Sequence, residues 1–199
     1  MTKNVSLIIC FIILLGCNEQ ERLNSADKIF FKSAGRLFNE NMLNNDSLSK
    51  AINLLDSAIY INNREPKYYL TKCQIAIHLK KYDLALNSCD GLLAFDKNNY
   101  IATFEKGIVF DLIHNPDSAN SNYRTAVRLL DRTSFDNEIF KEYERVILYG
   151  LLEDSINFQS NVFKFKREFS EDKNFSTLFQ QIIQFNRNDY LTSFGGKAE

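Results

Sequence analysis

The side chains that most often carry chemistry are few and scattered in this chain of 199 residues. The two histidines, His78 and His114, do not belong to a metal-binding motif. The chain contains neither a glycine-rich phosphate loop nor a Gly-x-Ser-x-Gly motif. Acidic residues are spread along the chain in the manner of solvated helix faces. We therefore predict a non-enzymatic protein with no catalytic residues, no metal site and no cofactor.

Two of the four cysteines are placed where they could react with each other. Cys73 and Cys89 lie eight residues on either side of residue 81, where we expect a turn between antiparallel helices. A disulfide usually needs Cα atoms about 4.4–6.8 Å apart, whereas packed helix axes lie about 8–10 Å apart. Two alternatives stay open, a disulfide or two buried free thiols acting as small apolar residues, and this geometric demand favours the thiols.

The composition is that of an ordinary globular protein. Apolar residues make up 45% of the chain and charged residues 25%, which is enough apolar material for one domain with a core. The net charge of -1 provides no basic surface of the kind that nucleic acids require. Two prolines, seven glycines and few alternating β-branched runs favour an all-α chain without a nucleic-acid partner.

The first residues have the order of a secretion signal. Lys3 supplies positive charge, and the apolar run that follows ends at Leu15, so it is shorter than the roughly 20 residues that span a bilayer. The run closes with Leu14-Leu15-Gly16-Cys17, which resembles the lipobox of bacterial lipoproteins. That resemblance implies that residues 1–16 are a cleaved signal peptide and that Cys17 carries acyl chains such as palmitate. The alternatives are an uncleaved anchor or an ordinary signal peptide.

A lipidated Cys17 would fix the protein to a membrane. More than one acyl chain gives stable anchoring, and the polar residues 17–25 would form a short tether. By analogy with bacterial lipoprotein sorting, Asn18 after the cysteine points to the outer membrane. Glu19 and Glu21 leave open whether the protein faces the periplasm or the cell surface. We expect a lipid-anchored protein of the bacterial cell envelope.

Small residues recur with a period of 34 residues, at Ala51, Ala85 and Ala119. A fixed period in this range indicates stacked helical hairpins, which bury their apolar faces against one another. In the third unit, Asn115-Pro116-Asp117 has the order of a helix start, because Asn caps, Pro suits the first helical position and Asp faces the positive end of the helix dipole.

In units of residues 32–65, 66–99 and 100–133, this pattern resembles the tetratricopeptide repeat (TPR). That family has small residues at the eighth, twentieth and twenty-seventh positions, where the two helices of a unit approach closely. The three alanines occupy the twentieth position, and the other two positions hold Asn39, Cys73 and Gly107, then Ala58, Leu92 and Ala126. Lys72 and Lys106 depart from the large apolar residue of the family's seventh position.

The resemblance implies an all-α, right-handed superhelix of antiparallel hairpins, with three repeats over residues 26–133. Residues 134–189 lose the period but keep apolar stripes at helical spacing. There we predict a degenerate fourth hairpin and a C-terminal capping helix. From residue 190 to residue 199 we expect a frayed tail.

The resemblance also implies a binding groove along the first helix of each unit. The corresponding positions hold Arg36, Lys67, Leu70, Gln74, Ile77, His78, Ile101, Phe104 and Ile108. If exposed, the apolar ones would form a contiguous patch of the kind that binds a partner. The alternative is that flanking helices cover them.

These features together predict a scaffold that binds another protein or a peptide, as an accessory subunit of an envelope complex. The alternative is a receptor for a peptide or small apolar ligand, with Ile77, Phe104 and Ile108 forming the pocket. An enclosed cavity at these residues would favour the ligand, and an open groove would favour the protein partner.

Overall fold

A computed structural model describes residues 26–40 and 44–194, and within these ranges it contains ten α-helices and no β-strand. The helices are α1 (Ala26–Glu40), α2 (Asn45–Ile61), α3 (Pro66–His78), α4 (Tyr82–Leu93), α5 (Tyr100–Leu112), α6 (Pro116–Leu130), α7 (Glu138–Leu151), α8 (Ser155–Phe169), α9 (Phe175–Ile183) and α10 (Arg187–Ser193). The signal peptide, Cys17 and its tether lie outside the described residues.

Consecutive helices pack in pairs, which confirms the predicted all-α, TPR-like repeat fold. The pairs are α1 with α2, α3 with α4, α5 with α6 and α7 with α8, and the second helix of each pair also contacts the first helix of the next. Helix α9 packs against α7 and α8, and α10 packs against α5. In the described part of the chain, every helix is too short or too polar to cross a membrane.

The turns inside the second, third and fourth hairpins share one hydrogen-bond pattern. In each, an amide three residues past the helix end reaches back five residues to a carbonyl: Lys81 to Ala76 at 2.8 Å, Asn115 to Phe110 at 2.8 Å and Asp154 to Tyr149 at 3.1 Å. This is the Schellman end of a helix, which requires a left-handed residue just before that amide. Lys80, His114 and Glu153 hold this place, with φ of 57°, 58° and 55°.

The second helix of the third hairpin begins where the sequence predicts. The side chain of Asn115 accepts a hydrogen bond from the amide of Ser118 at 3.1 Å, and Pro116 occupies the first turn. Asn99 caps α5 in the same way, accepting from the amide of Ala102 at 2.9 Å. Such caps satisfy amides that have no partner within the helix.

The apolar core consists of two clusters that meet along α3. Tyr68 and Ile75 pack with the first hairpin, whereas Leu70 and Ile77 pack with all that follows. The predicted seam residues Ala51, Ala85 and Ala119 are fully buried, as are Ala58, Leu92 and Ala126. The second hairpin is therefore covered on both sides, as expected of a unit inside a stack.

Lys72 and Lys106, which depart from the family pattern, form equivalent ion pairs between hairpins. Lys72 of α3 pairs with Asp56 of α2, and Lys106 of α5 pairs with Asp90 of α4, both at 2.5 Å. The two pairs are 34 residues apart in both partners. A long lysine stem can cover apolar surface while its ammonium group reaches the rim of the interface.

The predicted frayed tail is wrong for residues 190–194. Tyr190 and Phe194 are only 5% and 6% exposed, and both belong to the larger apolar cluster. The amide of Asp189 donates to the capping side chain of Asn186 at 3.1 Å, and the Tyr190 ring packs against Phe185. A capped helix of seven residues with two aromatics four residues apart thus buries enough surface to be held in place.

Candidate partner-binding groove

The first helices of the second, third and fourth hairpins are linked by polar side chains on one side. Gln74 of α3 donates a hydrogen bond to Glu105 of α5 at 3.0 Å, and the charge of Glu105 acts in turn on Glu144 of α7. We call this side of α3, α5 and α7 the groove face. It contains the surface that the sequence predicts to bind a partner.

The predicted apolar lining of the groove is covered rather than open. Leu70 and Phe104 are 5% and 6% exposed, and Ile77 and Ile108 are fully buried. Ile101 alone among the five predicted apolar residues is partly exposed. Neighbouring elements therefore cover these side chains, as in the alternative stated above. The side chains form no contiguous surface patch.

Phe104 illustrates why the lining is internal. Its ring centroid lies 6.1 Å from that of Tyr123, which comes from the second helix of the same hairpin. Gly107 faces the same ring, and a Cβ built on it would lie 2.4 Å from a Tyr123 ring carbon. The glycine makes room for the tyrosine, and the tyrosine fills the space beside Phe104.

Three of the four predicted polar residues of the groove, Arg36, Lys67 and His78, are more accessible, whereas Gln74 is buried. Arg36 of α1 is exposed, and Lys67 is half-buried with its ammonium group 5.5 Å and 5.8 Å from the ring centroids of Phe31 and Tyr68. These distances allow cation–π attraction. His78 is half-buried with its ring 5.4 Å from that of Phe38, and burial lowers its pKa.

Helix α10 lies against α5 and is tied to it by Arg187. The guanidinium donates to the Asp111 carboxylate of α5 at 2.6 Å and to the carbonyl of Leu151, at the end of α7, at 3.0 Å. The other Asp111 oxygen accepts the hydroxyl of Tyr123 at 2.7 Å. One carboxylate therefore joins α5, α6 and α10, and the charge-assisted bonds are of the strong kind.

Tyr190 of α10 reaches the polar centre of the groove face. Burial raises the pKa of Tyr190 well above its usual value, and nearby Tyr143, Glu144 and Glu105 raise it further. The phenol therefore stays protonated at neutral pH and can act as a hydrogen-bond donor. We predicted no role for α10 from the sequence, although its Arg-x-x-Tyr spacing places the charge and the ring on one helix face.

Glu105 and Glu144 form a pair of carboxyl groups with shifted pKa values. Burial raises the pKa of Glu105 to about 7, against the opposing hydrogen bond from Gln74. Burial and the charge of Glu105 raise the pKa of Glu144 to about 7. The Oε2 atom of Glu105 has no hydrogen-bond partner among the described residues. The groove face therefore changes its charge near neutral pH.

Cys73 and Cys89 are free thiols in the structure. Both side chains are buried, and the sulfur atoms lie 3.0 Å apart. The sequence left open a disulfide or two buried free thiols, and the structure contains the pair of free thiols.

The part of the chain that the structure describes contains no group of three His, Cys, Asp or Glu residues able to hold a metal ion. A cleft of about 540 Å³ lies between α6 and the end of α7, lined by Arg124, Arg128, Tyr149 and Leu152 among others. It does not include the proposed ligand pocket of Ile77, Phe104 and Ile108.

Comparison with known proteins agrees with this repeat architecture. The chain is 29% identical over 128 residues, 61% of its length, to tetratricopeptide repeat protein 37 of Xenopus laevis. The chain spans 8% of the length of that much larger protein. No protein-family description matches the chain, and no solved structure matches it. The chain has an all-α, TPR-like helical repeat fold.

Proposed function

We propose that this protein is a lipid-anchored, non-enzymatic scaffold of the bacterial cell envelope that binds another protein through its groove face. The sequence similarity to a TPR protein supports a protein partner. The Leu14-Leu15-Gly16-Cys17 motif supports the anchor and the location. An accessory role in an outer-membrane complex is the specific form that we propose.

The observation that carries the binding proposal is the position of α10. A seven-residue helix already occupies part of the groove face, with one arginine on Asp111 and one tyrosine buried near Glu105 and Glu144. A face that holds one short aromatic helix has the chemistry for helix-in-groove recognition. The more accessible Arg36, Lys67 and Ile101 provide the edge along which a partner would extend.

Site-specific photocrosslinking in the native envelope tests this surface. A photoreactive residue at Arg36 or Ile101 should capture a partner in the proposed groove. The control position is Tyr60, which is 91% exposed at the end of α2. Capture at Tyr60 but at neither groove position would place the partner on the second helices and contradict the proposal.

The anchor is tested separately by Cys17→Ser. Loss of the acylated cysteine should move the protein from the membrane fraction to the soluble fraction, because no other membrane attachment is proposed. Unchanged membrane retention would contradict lipid anchoring while leaving the groove proposal in place.

The small-ligand alternative has less support. Its pocket residues Ile77, Phe104 and Ile108 are themselves part of the packed core, so the place of a ligand is filled by side chains. Phe104→Glu would for the same reason bury a carboxylate and unfold the third hairpin, so its effect on binding would be uninformative.

A further inference from the structure

The proposed scaffold function does not involve the two buried thiols, yet their sulfur atoms lie close together. Cys73 of α3 and Cys89 of α4 are 0% and 1% exposed, and their sulfur atoms are 3.0 Å apart. The hydrogen-bond geometry has the Cys89 thiol donating to the Cys73 sulfur. A disulfide bond is about 2.05 Å long, so the two atoms are about one ångström from bonding distance.

The seam between α3 and α4 explains this proximity. Ala76 and Ala85 are fully buried in the same apolar cluster as the cysteines. Alanines have no side chain beyond Cβ, so helices that meet at them approach more closely than helices separated by leucines. The separation of about 8–10 Å that is typical of packed helices is therefore no obstacle here.

We infer that Cys73 and Cys89 form an intrachain disulfide that clamps the second hairpin when the chain folds in an oxidising compartment. The occurrence of this bond in the cell rests on the proposed location outside the cytoplasm, where disulfides persist. The geometry of the pair does not depend on that location. The bond would close a loop that contains the whole turn between α3 and α4.

The oxidant is a protein of the dithiol–disulfide exchange class. The thiolate of one cysteine attacks the oxidant's disulfide and forms a mixed disulfide, and one oxidant sulfur leaves as a thiol. The second cysteine then displaces the oxidant, which departs as a dithiol. In total the two cysteines lose two protons and two electrons, and the oxidant gains them.

Exchange takes place before the hairpin closes. In the folded protein both sulfurs are buried, and the hydrogen bond with the Cys89 thiol, together with burial, raises the pKa of Cys73 well above its usual value. Thiolate is the attacking species, so the folded pair reacts slowly in either direction. Once formed, the bond is shielded from external thiols by the same burial.

The experiment uses the full chain, unfolded and reduced, then refolded in a mixture of reduced and oxidised glutathione. Remaining thiols are alkylated, and the protein is digested with trypsin without reduction. Cleavage after Lys72, Lys80, Lys81 and Lys97 places the two cysteines on separate peptides, residues 73–80 and 82–97. We expect these peptides to be joined and two hydrogens lighter than their sum. Separate alkylated peptides would overturn the inference.

Thermal unfolding provides a second measurement. Closure of a loop of this length should raise the Tm of the oxidised chain by about 6–12 °C over the reduced chain. The Cys73→Ala/Cys89→Ala variant is the control and should show no change of Tm with redox conditions. An equal redox response in that variant would assign the effect to Cys10 or Cys17 and contradict the inference.

Alkylation in intact cells separates this inference from the proposed function. A linked pair in cells supports both. A pair that links during refolding but is reduced in cells would overturn the proposed location, while the disulfide chemistry of the pair would stand.

Discussion

Gly107 shows how the absence of one methyl group shapes the third hairpin. The buried ring of Tyr123 occupies the place where a side chain at Gly107 would begin. The sequence predicted a small residue here, because Gly107 occupies the family's eighth position. What the pattern could not supply is the link from Tyr123 through Asp111 to Arg187, since Arg187 lies outside the repeats.

Gly107→Ala should therefore destabilise the protein. Alanine favours a helix over glycine by about 0.5–1 kcal/mol, but the clash with a ring held on all sides should cost about 1–3 kcal/mol. We expect a net loss in the free energy of unfolding, measured by urea denaturation. Gly35→Ala is the matched control, because nothing lies within 4 Å of a Cβ at Gly35 in α1. That variant should be more stable by about 0.5–1 kcal/mol. Stabilisation by both substitutions would contradict the proposed packing.

At the scale of the helices, the sequence predicted the elements that depend on local signals. Asn115-Pro116 marks a helix start, and the 34-residue period marks the hairpins. The ion pairs of Lys72 and Lys106 were missed because each partner lies 16 residues away on another helix. Helix α10 was missed because a seven-residue helix has little stability alone and depends on the groove face beneath it.

One helix end also contains a left-handed backbone conformation that the sequence pattern does not indicate. Lys80 has φ of 57° and adopts the left-handed conformation that favours glycine. Lys80→Gly should relieve about 1 kcal/mol of strain and raise the Tm by about 2–4 °C in thermal denaturation. Lys80→Ala is the control, since it removes the charge but keeps Cβ, and its Tm should not rise. An equal rise in both variants would assign the effect to charge rather than to backbone strain.

For the whole molecule, Glu105 and Glu144 link stability to pH. The pKa of each is raised from 4.5 to about 7. Between these values the folded state binds protons that the unfolded state has released, so the free energy of unfolding falls as pH rises. The contribution is fully present below about pH 4.5 and is lost as pH passes through about 7.

Glu105→Gln should reduce the pH dependence of the free energy of unfolding by the equivalent of about one bound proton. It should also stabilise the protein at pH 8. Glutamine can still accept the hydrogen bond from Gln74 but never becomes charged. The measurement is urea denaturation at several pH values. Glu171→Gln removes an exposed carboxylate and should leave the slope unchanged. A slope that persists in Glu105→Gln would show that other groups cause it.

Because two apolar clusters meet along α3, the first hairpin and the rest of the molecule should differ in how easily they unfold locally. The first hairpin can separate from Tyr68 and Ile75 while the larger cluster stays intact, because the two clusters use different faces of α3. Amide hydrogen exchange should accordingly be faster in α1 and α2 than in α5 and α7, and uniform exchange would contradict this.

Helix α1 also follows the proposed tether directly. A mechanical load transmitted from the membrane would then act first on the hairpin that yields most easily, and the groove face would be spared.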